Sequence, residues 1–474
     1  MKKSKLILCY LCVGVLLMQS CAILKKPILN PEPNIPKQYA GSRDSTQTEL
    51  LSWRTYFTDP NLVALIDTAL SNNRELQILK QEIAIANLEV KAKKGEYLPF
   101  VNYGSAMGID HSGKYTFNGM SEEDLKTSKD DHPRYIGDFN LGASFSWELD
   151  IWKKLRNARA AAVERYLVSS EGKNFAVTLL VAEIASSYYE LLTLDNQLRI
   201  IQQNIEVQSN ALQMVKLQKE AARTTQLAVN RFEAQLYHTT NLQYEIKQKI
   251  TEAENRINFL AGRYPGKIIR TSIENLAALP TIIQEGIPIQ LLQQRADIRM
   301  AEHQLEAAKL DIAVAKASFY PNIRLSANLG LQAFNPAVWL KPESIVAGLF
   351  GDMVGPLVNQ NALRANFMAT HAKQIQAVNA YEQSILKAVN EVQNQLAGID
   401  NYAKSVEVKS KEVQILTQSV SISDNLFKSA RADYIEVLLT QREVLDSKME
   451  LTEIQLNQLK SRVNLYKALG GGWQ

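Results

Sequence analysis

The chain has 474 residues, 22% of them charged and 8% aromatic, a balance too apolar for a disordered protein and ordinary for folded domains. Its formal charge of +4 includes Lys2, Lys3 and Lys5 at the extreme N-terminus; without these three, 50 basic residues face 49 acidic ones. A nearly neutral chain carries no electrostatic footprint for nucleic acid.

Residues 1–20 have the form of a secretory signal: a basic start, an apolar run from Leu6 to Met18, then Gln19 and Ser20. That run is too short to remain in a bilayer as a spanning helix. A small residue followed directly by Cys21 resembles a bacterial lipoprotein cleavage box, which makes Cys21 the lipid-bearing first residue of the mature chain. Cys9 and Cys12 fall inside the signal, so the mature chain is expected to have no internal disulfide and no cysteine metal site. Residues 21–50, with Pro27, Pro31, Pro33 and Pro36, read as an extended tether behind the anchor.

Beyond the tether, residues 51–262 form a first unit. A helical stretch leads to Val101–Ile109, where Val, Tyr, Ser, Met and Ile alternate with Asn, Gly, Ala and Gly. From Phe139 to Leu149 the same period of two returns. Then no proline occurs between Pro133 and Pro265, and Val177, Ile184, Leu191, Leu198, Ile205 and Leu212 recur every seven residues. A seven-residue apolar period keeps one seam on one helix face and implies coiled-coil packing. Val229, Leu236, Ile250 and Ile257 mark a return helix, which places a turn near residues 220–226.

Residues 263–292 connect to a second unit, 293–470, followed by a short tail at 471–474. Ile323–Leu331 alternates cleanly, while Ile345–Val358 is less regular because Val346 and Phe350 fall on the wrong face. After Pro356 there is no further proline, and Val378, Ile385, Val392, Ile399, Val406, Val413, Val420 and Phe427 keep the seven-residue period. A helix over residues 360–428 spans roughly 100 Å at about 1.5 Å per residue. Its turn falls near residues 428–434, and Val437, Val444, Leu451 and Leu465 stripe the return helix.

The two units are copies. A shift of 208 sets Leu155-Arg156 over Leu363-Arg364, Glu183-Ile184 over Glu391-Val392, and Gly262 over Gly470. Upstream the offset is 222, aligning Leu88 with Leu310 and Pro99 with Pro321, so the first copy has the longer loop between its strands. Heptads alone are compatible with a periplasmic coiled-coil scaffold. Strands of about ten residues, apolar on one face and small or polar on the other, fit a transmembrane barrel. Four strands cannot close a barrel, and open edges are not tolerated in lipid, so the chain must pool strands with other copies. Counting alone does not say how many.

Several motifs then resemble one family. They include Trp53, Phe57, Asp59-Pro60, Leu65-Ile66, Glu148-Leu149-Asp150, Leu155-Arg156-Asn157, Gly286-Ile287-Pro288, Arg295, Asp297-Ile298-Arg299, Phe319-Tyr320-Pro321, Gln441-Arg442 and Leu465 through Trp473. In order and spacing they resemble the TolC-like outer-membrane factors, specifically the lipoprotein exit ducts of resistance-nodulation-division efflux systems. The resemblance implies a mainly α fold with a transmembrane β part. Four strands per chain would enter a twelve-strand trimeric barrel continuous with a twelve-helix periplasmic tunnel.

It further implies a homotrimer in the bacterial outer membrane, lipid-anchored through Cys21, that works with a periplasmic adaptor and a proton-driven inner-membrane pump. The hairpin tips, Ala222 and Arg223 with Ala430 and Arg431, would meet the adaptor. Ile435, Leu439 and Arg442 would narrow the periplasmic gate. Two departures stand out: the family's turn glycines are Ala222 and Ala430 here, and Leu439 replaces the family's gate acid. Asp424 and Asp433 are the acids nearby.

His111, His132, His238, His303 and His371 are scattered singly, and no zinc-protease pair, phosphate loop or nucleophile elbow is present. The expectation is a passive channel, not an enzyme, with no cofactor beyond the lipid. The alternatives are an exit duct for type I protein secretion and a non-conducting coiled-coil envelope lipoprotein.

Overall fold

A computed structural model describes residues 27–31, 35–39, 52–111, 136–271, 286–356, 358–429 and 431–473. The helices before the first strand are α1 (Trp53–Tyr56), α2 (Pro60–Asn72) and α3 (Arg74–Glu96); β1 (Phe100–Asp110) and β2 (Ile136–Glu148) follow. The long α4 (Lys154–Glu220) and its return helix α5 (Gln226–Leu260) complete the first copy. The second has α6 (Leu291–Gln294), α7 (Ala296–Ala317), β3 (Asn322–Ala333), β4 (Ile345–Val354), α8 (Asn361–Lys428) and α9 (Tyr434–Ala468). The fourth strand ends four residues earlier than its pattern suggests, because Gly355 packs on Pro321 and Pro356 has no N–H for a ladder bond.

Two compact units divide the chain. One comprises Met1–Asn30, Ile85–Tyr166 and His303–Val378; the other comprises Pro31–Ala84, Leu167–Glu302 and Asn379–Gln474. The first holds an antiparallel sheet in the order β1-β2-β3-β4. Its register aligns Val101, Phe145, Ala327 and Leu349 in one row, and Tyr103, Ala143, Leu329 and Ala347 in the next row of that face. Beside the sheet, Phe319 and Phe367 meet edge to face at 6.2 Å with Ile312 and Ala315, and Arg165 pairs with Asp311 at 2.5 Å.

The second unit is helical and contains the larger core. Trp53, Tyr56, Phe57, Leu62 and Ile66 pack on Ile184, Tyr188, Leu191, Leu192 and Ile257. Tyr56 stacks on Tyr466 at 4.3 Å. In α4 one stretch is apolar enough to cross a bilayer, yet 61% of it is buried inside the protein, as a core helix requires. The seven-residue stripe of α8 is buried at Ile385 and Val392 and grows more accessible toward the turn.

Polar ties fix the linking segments onto this core. Tyr188 donates to Asp59 Oδ2 at 2.8 Å, and Thr271 donates to the same oxygen at 2.5 Å. Burial pushes the Tyr188 hydroxyl up to about 12, against the opposing hydrogen bond from Thr271. Arg270 bonds Asp195 and Glu254, each at 2.5 Å. Buried Arg295 reaches Asp297 at 2.7 Å, Glu391 at 2.9 Å and the Ala468 carbonyl at 2.8 Å. A buried guanidinium is tolerable because every face of its fork finds an acceptor.

Candidate functional site

The sheet presents two chemically different faces, as a strand period of two requires. On one, Val101, Tyr103, Met107, Ile109, Leu329, Ile345, Leu349 and Met353 are all exposed, with Tyr103 at 93%. The other carries Asn102, Ser144 and Asn328 in one row, Gly104, Gly142 and Gly330 in the next, and Glu148, Arg324 and Asp352 near the helical end. Val346 and Phe350 sit on this polar face, opposite Gly330 and Ser326. They fit because their surroundings are small: a Cβ on Gly348 would lie 2.7 Å from the Phe350 ring. Glycine is also required where β2 and β3 approach closely, since a Cβ on Gly330 would sit 2.6 Å from the Leu141 carbonyl oxygen.

β1 and β4 each pair on one side only. The outer backbone groups of both strands therefore have no ladder partner among the described residues. An apolar face with two open edges cannot stand alone in lipid or in water.

At the far ends of α4 and α8 lie the two turns. Arg223 N–H donates to the Gln218 carbonyl at 2.9 Å and Ala222 N–H to the Lys219 carbonyl at 2.9 Å, the paired bonds of a Schellman motif. Ala222 adopts φ +53°, so the turn keeps its left-handed geometry and accepts the strain of a Cβ. Thr225 then caps α5 by accepting from Ala228 N–H at 3.3 Å. The second turn repeats the wide bond, Arg431 N–H to the Leu426 carbonyl at 2.9 Å, and Asp433 caps α9. Arg223 and Arg431 are exposed at the two tips. Ala430 and Cys21 lie outside the described residues.

Behind the tips Leu212, Val215, Ala228, Val229, Phe232 and Val437 form an apolar cluster. The gate candidates face away from it: Leu439 is 52% exposed, and Ile435 and Arg442 are also exposed. Spacings of four, seven and eleven residues from Ile435 keep Leu439, Arg442 and Asp446 on one helix face. Arg442 Nε lies 3.6 Å from Asp446 Oδ2. Thus an acid does share the face of the gate candidates, one heptad beyond Leu439, and the seven-residue period could have located it. The other acids are engaged elsewhere, Asp424 with Lys428 at 2.6 Å and Asp433 in its cap. His303 bonds Glu164 at 2.8 Å, while Glu306 bonds Lys309.

Residues 65–263 and 287–471 match the family model described as outer membrane efflux protein. The chain is 26% identical to the probable outer membrane lipoprotein SilC of Salmonella typhimurium over 464 residues, covering 97% of each. It is 28% identical to the solvent efflux pump outer membrane protein SrpC of Pseudomonas putida over 468 residues, again 97% of each. A solved structure of CusC, a cation efflux system protein of Escherichia coli, superposes with a TM-score of 0.83 at 24% identity, covering 94% of this chain and 99% of that one.

Proposed function

The chain belongs to the outer membrane efflux protein family, and from that premise we propose that it is the exit duct of a tripartite pump. It is an outer-membrane efflux channel in the plain sense of its family. The observation that carries the finer reading is the sheet with an apolar outward face and two unpaired edges. Such edges are satisfied when β1 of one copy pairs with β4 of the next. The strands, of 10 to 13 residues, suit a tilted crossing of the membrane. Three copies give a twelve-strand barrel and, from the two hairpins of each, a twelve-helix tunnel; the number three comes from the family resemblance.

In this assembly the polar sheet face lines the pore, Cys21 bears the lipid, and residues 21–50 tether it. Ala222, Arg223, Ala430 and Arg431 meet the periplasmic adaptor, and the inner-membrane pump supplies the energy. Ile435, Leu439 and Arg442, joined by Asp446, narrow the closed tip. Passage is passive and needs no catalytic group or cofactor. The cargo is drugs or other small toxic compounds. Relatives named for solvents and for cations resemble this chain to similar degrees, which supports a duct that leaves selection to its pump.

Purified protein in a planar bilayer tests the channel, and its absence of conductance would reject the reading. Cysteine pairs scanned along β1 and β4 test the count: oxidation should build a ladder that stops at three chains. Acyl labelling of Cys21→Ala tests the anchor, which is rejected if labelling persists.

A further inference from the structure

The N-terminal segment lies on helix α8 in an unusual way. His371 is 7% exposed and its Nε2 lies 3.1 Å from the Pro27 carbonyl oxygen. One turn on, Gln374 is fully buried and its Nε2 donates to the Leu29 carbonyl at 2.6 Å. The spacing has a geometric reason. In an extended segment the carbonyls of residues i and i+2 point the same way, about 7 Å apart. Side chains at i and i+3 share a helix face and, with flexible tips, reach two such acceptors.

Apolar burial does little of the holding, since Ile28 and Leu29 remain 47% and 41% exposed. The bonds go to main-chain carbonyls, one of them belonging to a proline that has no N–H to offer. Neither His371 nor Gln374 is explained by the helix itself, because a buried imidazole and a buried amide are costly without partners. The tether carbonyls partner the His371 and Gln374 Nε2 atoms, while Gln374 Oε1 is buried without a hydrogen bond among the described residues.

We propose that His371 and Gln374 form a docking track for the N-terminal segment, holding the lipid-bearing end of the chain at a fixed height beside the sheet. This rests on Cys21 as the lipid site. The distances close. Five residues lie between Cys21 and Pro27, so the six steps reach at most about 20 Å. His371 lies ten residues into α8, so it stands about 15 Å along the helix from its start. A tether pinned at Pro27 is therefore long enough to return to the start of α8, separated from β4 by six residues, and too short to wander far from it. The track makes the anchor a positioned element of the fold.

The test is a nitroxide label on Ile28→Cys, a half-exposed site, in the full-length detergent-solubilised protein. Acylated Cys21 does not react with the label. With Cys9→Ala and Cys12→Ala in every variant, since a chain lacking Cys21 keeps its signal segment and those thiols would take label, the spectrum should be immobilised in the parent and equally so when Cys21→Ala is added. His371→Leu with Gln374→Leu should convert most of the signal to the mobile form. His371→Gln, which keeps a donor, should leave it immobilised, and an unchanged melting temperature and oligomeric state of the double variant show that its label is freed in a folded protein. A label that stays immobilised in the double variant overturns the proposal. So does one freed by Cys21→Ala alone, since the lipid buried in the micelle rather than the track would then be holding the strap. Acyl labelling, scored separately, shows whether the anchor reading itself has failed.

Discussion

Replacing Ala222 with glycine relieves a defined strain. At φ +53° the alanine Cβ crowds the following carbonyl, a conformation costing about 1–2 kcal/mol for an L-residue. Glycine recovers this cost but loses about 0.5–1 kcal/mol to its greater freedom in the opened chain. At the midpoints of both ranges a net gain of about 0.75 kcal/mol remains, roughly a three- to fourfold change in an opening equilibrium. The effect should be local, because the turn is exposed and its bonds are the Arg223 to Gln218 and Ala222 to Lys219 pair. Native-state hydrogen exchange is the suitable assay. Protection of the Ala222 and Arg223 amides should rise about three- to fourfold, with amides of the core around Tyr188 unchanged. Ala222→Val should lower protection at the same amides, since a branched side chain fits this region worse. Unchanged or reduced protection in the glycine variant would refute the claim that the turn stores strain at this residue.

Three further outcomes follow from the geometry. Gly330→Ala should destabilise the assembled protein by about 1–3 kcal/mol through a clash with the Leu141 carbonyl, whereas Gly104→Ala, with open space around it, should be neutral; the temperature at which the oligomer dissociates on a gel reads both. Tyr188 has a folded-state value of about 12, above its ordinary 10. Its contribution is therefore complete below pH 10 and lost as pH rises through 12. Tyr188→Phe should flatten the alkaline fall in melting temperature over that window, and an unaltered profile would assign the fall elsewhere. At the tip, Arg442→Ala and Asp446→Asn should each raise the open fraction of single channels. The pair is solvent-exposed at 3.6 Å and is worth at most about 1 kcal/mol in each of three copies, so a change beyond about 150-fold in either variant would mean that other contacts dominate closure.

Much of this architecture is legible before folding. The period of two along Val101–Ile109 and the period of seven from Val378 to Phe427 are consequences of backbone geometry, so they announce strands and coiled-coil helices directly. The 208-residue offset brings the two turns into register, and the absence of proline sets the reach of α4 and α8. The position of the first turn follows from the same pattern, but its shape does not. Ala222 has no preference for a positive φ, and only the Schellman bonds closing around it impose one.

What the tertiary structure alone decides are relations between residues distant in the chain. Val346 and Phe350 break the alternation of β4, and the reason, small residues opposite them on β3, lies in the register. Asp446 and Leu439 are related by a heptad that can be counted, yet its solvent exposure beside Arg442 depends on how α9 packs. His371 offers no motif at all. Its bond to Pro27 spans 344 positions, and no local periodicity encodes such a pairing. Side-chain periods record which face an element must bury; which distant carbonyl a buried donor meets is settled only when the faces close.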